Sequence, residues 1–374
     1  MPSMLAPEAL DEPITDRRAH RAQALGEEFC RFRQLIGKLG GGERTSSALS
    51  RAEAAEAITL MLQDKASSEQ IAAFLIAHRL RRPQPLEMAG FLDAYRQLGP
   101  QLPQQQRPVV SFGVPFDGRC REAPILPLTA LVLASAGLAV VLQGSNPMPV
   151  KYGAGPAELL AALDLPLAQI SWDSMGRVLQ RYGLALLHQA HHFPAAERLV
   201  PIRERIGKRP PIATLELLWS CYPHDHCTVS GFVHAPTEAL TWQTWDLIHQ
   251  REGITVKGLE GSTDLPTGRV AIAAHWQRGQ PERLVLHARD HGLRAEEPAL
   301  SSLRIWQEQA LAALNSDGPL RSALIWNAGF YLWRLGRSDS LAEGLAKAEA
   351  LLREGAPEQL RRQLQQELKA APSP

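Results

Sequence analysis

Residues 111–130 read SFGVPFDGRCREAPILPLTA and lie between a weak strand signal and a long apolar run. A loop in this position usually binds phosphate, because glycines let backbone N–H groups approach an anion closely. Here prolines and Phe116 stand where small and hydroxyl residues are expected. Proline has no N–H to donate, and the phenylalanine ring takes space that a phosphate needs. The segment therefore predicts a loop that packs through apolar side chains and has lost its phosphate cradle.

A second segment, CYPHDHC, contains residue types that bind zinc, namely Cys221, His224, His226 and Cys227. Structural zinc sites usually take ligand pairs from two separated segments, whereas these four residues lie within one stretch of seven. A polar loop is therefore the favoured interpretation, and a metal site is the alternative.

Composition excludes several classes of protein. The chain has 374 residues, 45% of them hydrophobic, and a formal net charge of +1 from 40 basic and 39 acidic residues. This length predicts about two domains, and the charge balance does not demand a polyanionic partner. The four cysteines are too few for a disulfide framework, which favours a reducing, cytoplasmic location. No apolar run reaches the length of a bilayer span, so we expect no membrane contact.

The elements that must position these residues divide the chain into three parts. We expect residues 1–28 to form a flexible tail, because proline and acidic residues recur along the start of this segment. Residues 29–103 predict a helical domain, in which Ser50 with Glu53 and Ser67 with Gln70 form capping boxes. Strand-like runs such as PVVSF, LAVVLQG, CTVSGFV and GITVKG then alternate with helices over residues 104–374. This alternation predicts an α/β domain with a mainly parallel sheet.

The helical part, RAEAAEAITLMLQDKASSEQIAAFLIAHRLRRPQPLEMAGFLDAYR, resembles the N-terminal domain of glycosyltransferase family 3, the anthranilate phosphoribosyltransferase and nucleoside phosphorylase group. The resemblance continues through ASAGLAVVLQGSN, KYG, FPAAERLVPIRERIGKRP, VKGLEG and WNAGFYLWRLGRSDSLAEGLAKAEALL. It implies a class IV phosphoribosyltransferase-like fold, with a small helical domain on a larger α/β domain. It also implies a homodimer through the helical domain, a substrate in the interdomain cleft, and packing of part of residues 172–205 on the helical domain.

The resemblance also implies the substrate-binding residues. The family loop Gly-Thr-Gly-Gly-Asp matches GVPFDG, and the family motif His-Gly-Asn-Arg matches QGSN without its arginine. Arg203 matches an arginine that faces the aromatic acceptor in the family, and Lys151 matches a lysine downstream of the second motif. The complete set of implied substrate-binding residues is Gly113, Asp117, Gly118, Gly144, Lys151, Arg203, Arg209, Lys257 and Gly258.

The acidic pair that binds magnesium in the active enzymes falls on Thr263 and Asp264. One carboxylate of the pair remains, and Glu260 lies close enough in sequence to supply another. The resemblance therefore implies that a Mg²⁺ site, if present, uses Glu260 and Asp264.

Two hypotheses follow for the function. Loss of three or four hydrogen bonds to phosphate forfeits about 5–10 kcal/mol, so we do not expect ordinary anthranilate phosphoribosyl transfer. The first hypothesis is a transferase with an altered donor or acceptor, acting on a phosphorylated small molecule. The second is a non-catalytic dimer that binds single-stranded nucleic acid or has a regulatory role. One branch of the family lacks the transferase motifs and binds nucleic acid as a dimer, and its GTEG-like motif resembles KGLEG. The candidate cations for that role are Arg79, Arg81, Arg82, Lys151, Arg203, Arg205, Lys208, Arg209 and Lys257.

Overall fold

The computed structural model describes residues 23–42, 44–293, 297–315 and 317–370. Residues 1–22 of the predicted tail lie outside this range. The helical domain consists of helices α1 (Glu27–Leu39), α2 (Arg51–Leu62), α3 (Ser68–Arg81) and α4 (Pro85–Leu98). Both predicted capping boxes are formed, at the first turns of α2 and α3, because each N-cap serine exchanges hydrogen bonds with the residue three positions later.

The second domain is built on a seven-stranded sheet with the order β3-β2-β1-β4-β5-β6-β7. Strands β1 to β5 are parallel, whereas β6 and β7 are antiparallel at one edge. This arrangement confirms the predicted α/β class with a mainly parallel sheet. The strands are β1 (Val109–Gly113), β2 (Ala139–Gly144), β3 (Leu184–His188), β4 (Cys227–Phe232), β5 (Glu252–Lys257), β6 (Ala271–Gln277) and β7 (Gln280–Leu286).

Helices cover the sheet and bury most of strands β1 to β6, whereas β7 at the edge is largely exposed. The first group contains α5 (Leu126–Ser135), α6 (Pro156–Ala162), α7 (Trp172–Tyr182), α8 (Gln189–His192), α9 (Pro194–Glu197), α10 (Val200–Ile206) and α11 (Ile212–Leu215). The second contains α12 (Ala235–Leu247), α13 (Leu303–Asn315), α14 (Arg321–Arg334), α15 (Leu341–Arg353) and α16 (Ala356–Ala370). No helix in the described part of the chain is both long and apolar enough to cross a membrane.

Strand β1 is the switch point of the sheet. The chain places β2 on one side of β1 and later places β4 on the other side. In open α/β sheets the carboxyl ends of the strands at such a switch point form a crevice where ligands bind. The loops after β1 and β4 are therefore the places to examine for a site.

The helical domain packs against the α/β domain beside this crevice. Arg51 Nη1 donates a hydrogen bond to the carbonyl of Leu247 at 2.9 Å, and Tyr95 stacks edge to face on Phe193. Arg198 also donates to the carbonyl of Leu62. The last two contacts place residues of segment 172–205 on the helical domain.

A buried carboxylate fixes the turn between α3 and α4. Glu87 accepts hydrogen bonds from the backbone N–H of Leu49 at 2.9 Å and of Gln84 at 2.7 Å. It also contacts His78 Nε2 at 3.1 Å and pairs with Arg81. Burial opposes ionisation of Glu87, but His78 and the N–H donors outweigh it and lower the pKa to about 2. The carboxylate thus holds the end of α3 against the start of α4.

We predict that Glu87→Gln lowers the free energy of unfolding by about 3 kcal/mol, because buried donors lose a charged acceptor. Since the folded-state pKa of Glu87 lies below the ordinary value, its contribution is complete above about pH 4.5 and is lost as the pH falls toward 2. Urea unfolding of wild type and variant between pH 7 and pH 3 measures both effects. The exposed Glu27→Gln on α1 is the control, and equal stability of the two variants would contradict the assignment.

Candidate functional site at the interdomain cleft

The loop after β1 is filled by its own side chains, as its sequence predicts. Val114 and Phe116 are buried, and the space left beside them, lined in part by Pro115 and Pro127, measures about 30 Å³. Such a volume holds roughly one water molecule, whereas small-molecule sites occupy about 300–1,000 Å³. Gly118 has a φ of 74°, and a Cβ there would stand 2.1 Å from the carbonyl oxygen of Gly153. The loop therefore closes tightly on the neighbouring chain.

Three of the predicted binding residues meet at this loop. Asp117 is only 1% exposed, and its Oδ1 lies 3.3 Å from Lys151 Nζ and 3.8 Å from Arg209 Nη2. Lys151 also donates a hydrogen bond to the carbonyl of Gly118. The structure thus brings the predicted cations together, but around a carboxylate of the same chain.

Arg203 has an internal partner as well. Its guanidinium is 2% exposed and pairs with Glu216, which is 1% exposed. Burial raises the pKa of Glu216, and the charge of Arg203 opposes that rise. Sequence reasoning missed Glu216, although a lone carboxylate in the apolar run ATLELLW was a usable signal. The arginine predicted to face the aromatic acceptor therefore forms a buried ion pair within the chain.

The two predicted magnesium ligands accept hydrogen bonds from N–H donors of the same chain. Asp264 pairs with Arg119 and accepts the N–H of Ile125 at 3.0 Å. Burial raises the pKa of Asp264, and Arg119 opposes that rise. Glu260 accepts the N–H groups of Cys120 at 3.1 Å and of residue 121 at 3.2 Å. Within the described ranges no group of three or more His, Cys, Asp or Glu residues is arranged to hold a metal ion. As arranged, these residues do not fit a magnesium ion.

The remaining predicted glycines and Lys257 lie at strand ends. Gly113 ends β1, and a Cβ there would stand 2.0 Å from the carbonyl oxygen of Leu217. Gly144 ends β2, while Lys257 ends β5 with its side chain exposed and Gly258 follows it. Gly113 therefore permits close packing of two backbone segments, and only Lys257 presents a free functional group.

The CYPHDHC segment does not assemble zinc ligands. Burial raises the pKa of the Cys221 and Cys227 thiols, which disfavours the thiolates that metals need. His226 donates from Nδ1 to the carbonyl of His224 at 2.6 Å and accepts at Nε2 from Thr228 Oγ1 at 3.1 Å. The favoured interpretation as a polar segment agrees with these contacts.

An open cavity lies next to the filled loop, between the two domains. Its volume is about 430 Å³, which falls in the range of small-molecule sites. The helical domain contributes Arg79 and Pro83, and Arg79 donates a hydrogen bond to the carbonyl of Arg209. The rest of the wall is Arg209, Pro210, Pro211, Thr214, Leu217, Gly231, Phe232, Val233, His234, Thr237 and Gly261. The cavity therefore combines two guanidinium groups with an apolar wall and hydroxyl groups.

Exposed cations lie close in sequence, or in strand pairing, to residues that line this cavity. Arg82 follows α3, Arg205 and Lys208 flank the end of α10, and Lys257 pairs in the sheet with Phe232 of the cavity wall. None of these four cations forms an ion pair with a carboxylate in the described part of the chain. The set Arg82, Arg205, Lys208 and Lys257 is called the basic rim below.

The sequence matches two protein-family descriptions in the order expected from this architecture. Residues 33–99 match the helical bundle domain of the glycosyl transferase family, and residues 125–357, more than half of the chain, match its α/β domain. The chain belongs to the glycosyl transferase family. The second match begins at residue 125, so the filled loop of this family member lies outside it.

Similar proteins and structures agree with this membership. Anthranilate phosphoribosyltransferase of Laribacter hongkongensis is 26% identical over 296 residues, which cover 78% of this chain and 85% of that protein. The Moorella thermoacetica enzyme of the same name is 28% identical, covering 82% and 91%. The Thermus thermophilus anthranilate phosphoribosyltransferase structure has a TM-score of 0.72, 23% identity and coverage of 91% and 99%. A Saccharomyces cerevisiae structure, in complex with PRPP and Mg, has a TM-score of 0.76, 14% identity and coverage of 93% and 99%.

We predict that Arg203→Met and Glu216→Leu each lower the free energy of unfolding by about 3–5 kcal/mol, because each leaves one charge or polar group buried without its partner. The double variant should lose less stability than either single variant, since it buries no charge at this position. Urea unfolding of the four proteins completes the cycle. Additive losses in the double variant would show that the two residues do not depend on each other.

Proposed function

We propose that this glycosyl transferase family member does not transfer phosphoribosyl groups from phosphoribosyl pyrophosphate, and that it binds single-stranded nucleic acid at the interdomain cleft. The observation that carries the proposal is the contrast between two neighbouring volumes. About 30 Å³ remains where the family loop would cradle pyrophosphate, and about 430 Å³ is open beside it.

The internal ion pairs near the loop after β1 support the proposed loss of the donor site. Pyrophosphate binding needs free cations and N–H donors, because buried phosphate oxygens must be hydrogen-bonded. Lys151 is engaged by Asp117, Arg203 by Glu216, and Arg119 by Asp264. A donor in this position would have to displace three internal carboxylates and the side chains that fill the loop.

The free cations support a nucleic-acid ligand. Affinity for single strands comes from several Lys and Arg residues that neutralise phosphates together, and from bases that stack on flat side chains. The basic rim supplies four exposed cations on both domains, and Arg79 and Arg209 extend it into the cavity. His234 is exposed at the cavity wall, where its ring provides a flat surface for a base. A small phosphorylated molecule would use the cavity and leave the rim without a partner.

The second candidate function is a transferase that acts on a different phosphorylated donor. The volume of the cavity favours it, since about 430 Å³ suits a small molecule. Such an enzyme would bind its donor saturably in the cavity, and its affinity would depend little on the basic rim.

We also propose the homodimer through the helical domain that the family resemblance implies. Two exposed apolar side chains on that domain support it, Leu80 at 78% and Leu86 at 47% exposure. Light scattering during size-exclusion chromatography measures the mass directly, and a monomer at micromolar concentration would contradict this part of the proposal.

We predict that phosphoribosyl pyrophosphate in millimolar Mg²⁺ gives no binding heat in calorimetric titration, because the missing donors forfeit about 5–10 kcal/mol. Lys151→Ala is the matched control, since Lys151 corresponds to the family lysine. Micromolar binding in wild type that disappears in Lys151→Ala would overturn the proposed loss of the donor site.

We predict salt-sensitive binding of fluorescent single-stranded oligonucleotides, measured by anisotropy between 50 and 200 mM salt. Lys208→Gln and Lys257→Gln should each reduce the slope of log K against log salt by about 0.7, as expected for one phosphate contact to a single strand. Arg304→Gln, an exposed residue on α13 away from the cleft, should leave the slope unchanged. No oligonucleotide binding, or equal slopes in all variants, would remove the nucleic-acid proposal and favour the second candidate.

A further inference from the structure

A second polar cavity lies away from the cleft, near the amino ends of β4 and β5. Its volume is about 170 Å³, and its wall includes five residues of the CYPHDHC segment that the proposed function does not use. The wall contains Arg96 from α4 of the helical domain, while all other residues come from the α/β domain. The charged and hydrogen-bonding groups on this wall are Arg96, Ser220, Tyr222, His224, Asp225, His226, Thr228, His249, Gln250 and Arg251.

Arg96 is the charged group in this wall that has no partner. Its guanidinium makes no hydrogen bond or ion pair with any residue that the structure describes, although the side chain is partly buried. The nearby Asp93 is engaged by Arg51, with Nε and Oδ2 2.6 Å apart. Asp225 likewise pairs with Arg251 at 2.6 Å. Both neighbouring carboxylates therefore pair with other arginines, and Arg96 has no carboxylate of its own within ion-pair distance among the residues that the structure describes.

Burial and the charge of Arg96 shift the pKa values of two residues of this cavity. Burial lowers the pKa of Arg96, which Asp93 only partly opposes. Burial also lowers the pKa of His226 to about 4, and the charge of Arg96 adds to that effect. His226 is therefore neutral at pH 7, with Nδ1–H donated to a carbonyl and Nε2 engaged by Thr228. The histidine cannot neutralise Arg96, and it contributes no anion.

Ser220 and Tyr222, which carry hydroxyl groups, line the same cavity. The hydroxyl groups of Ser220 and Tyr222 accept backbone N–H groups, at 3.1 Å and 3.0 Å, so their own protons remain available to a ligand. The exposed ring of His249 also lines the cavity. A partly buried guanidinium beside hydroxyl protons is the donor set that recognises an oxyanion, because charged hydrogen bonds to such a group are the stronger ones.

The volume limits the ligand. A space of about 170 Å³ exceeds one water molecule but is below that of a drug-sized ligand. We propose that this cavity is a binding site for a small tetrahedral oxyanion, either inorganic phosphate or the phosphate group of a monoester, held by Arg96 with Ser220 and Tyr222. The site is independent of the cleft and of the function proposed there.

The position of Arg96 would let a bound oxyanion link the two domains. Because the guanidinium belongs to the helical domain and the other donors belong to the α/β domain, a bound oxyanion bridges the two domains. Binding to the folded state alone stabilises it in proportion to ligand concentration. Occupancy should therefore resist separation of the domains that form the cleft.

The experiment is calorimetric titration of the full-length protein at low ionic strength with inorganic phosphate, sulfate, glycerol phosphate and acetate. We expect phosphate to bind with a Kd of about 1 mM or tighter, and Arg96→Met to weaken binding about tenfold or more. Comparable affinity for glycerol phosphate would identify a monoester site, whereas its exclusion would restrict the site to the free ion. Arg304→Gln, an exposed residue on α13, is the control and should retain wild-type affinity for phosphate.

Unfolding midpoints in urea, with and without phosphate, give the second readout. Phosphate should raise the midpoint of wild type and of Arg304→Gln, and should have little effect on Arg96→Met. If Arg96→Met does not fold, Arg96→Lys replaces it, because lysine keeps the charge but loses the planar donor pair. Unchanged phosphate affinity in the Arg96 variants, or no binding by wild type, overturns the site. Failure of oligonucleotide binding at the cleft would not affect the proposed oxyanion site.

Discussion

Buried carboxylates paired with cations of the same chain are the interactions on which the rest of this structure depends. Asp117, Glu216 and Asp264 lie at the carboxyl edge of the sheet, and each has an internal arginine or lysine partner. A charge can be buried at tolerable cost only when it is paired, so each carboxylate dictates where its cation must stand. The loops at this edge are consequently held in one arrangement, and the cations at their centre are not available to a ligand.

The same pairing rule explains why the open cavity lies where it does. With the loop after β1 packed and closed, the open cavity at the switch point of the sheet lies toward the helical domain. The turn between α3 and α4 borders that space, and Glu87 fixes the turn from within the helical domain. Arg79 thus reaches the cleft from an anchored helix end.

The seam between the domains contains two polar cavities near opposite ends of the parallel strands. The larger one follows the carboxyl end of β4, and the smaller one lies near the amino ends of β4 and β5. Each takes one arginine from the helical domain, Arg79 in the first and Arg96 in the second. An anion in either place would therefore link the domains, although the two sites share no wall residue.

The sequence by itself determined the class of fold, the capped helices and the apolar character of the loop after β1, because these depend on periodicity and on residue type. It did not indicate β3, since LALLH is short, buried throughout and lacks the alternation that marks a half-buried strand. It also could not show that Glu216 pairs with Arg203 or that Arg119 pairs with Asp264. Ion pairs of this kind join residues from different loops, and only the tertiary structure decides which charges meet and which remain free.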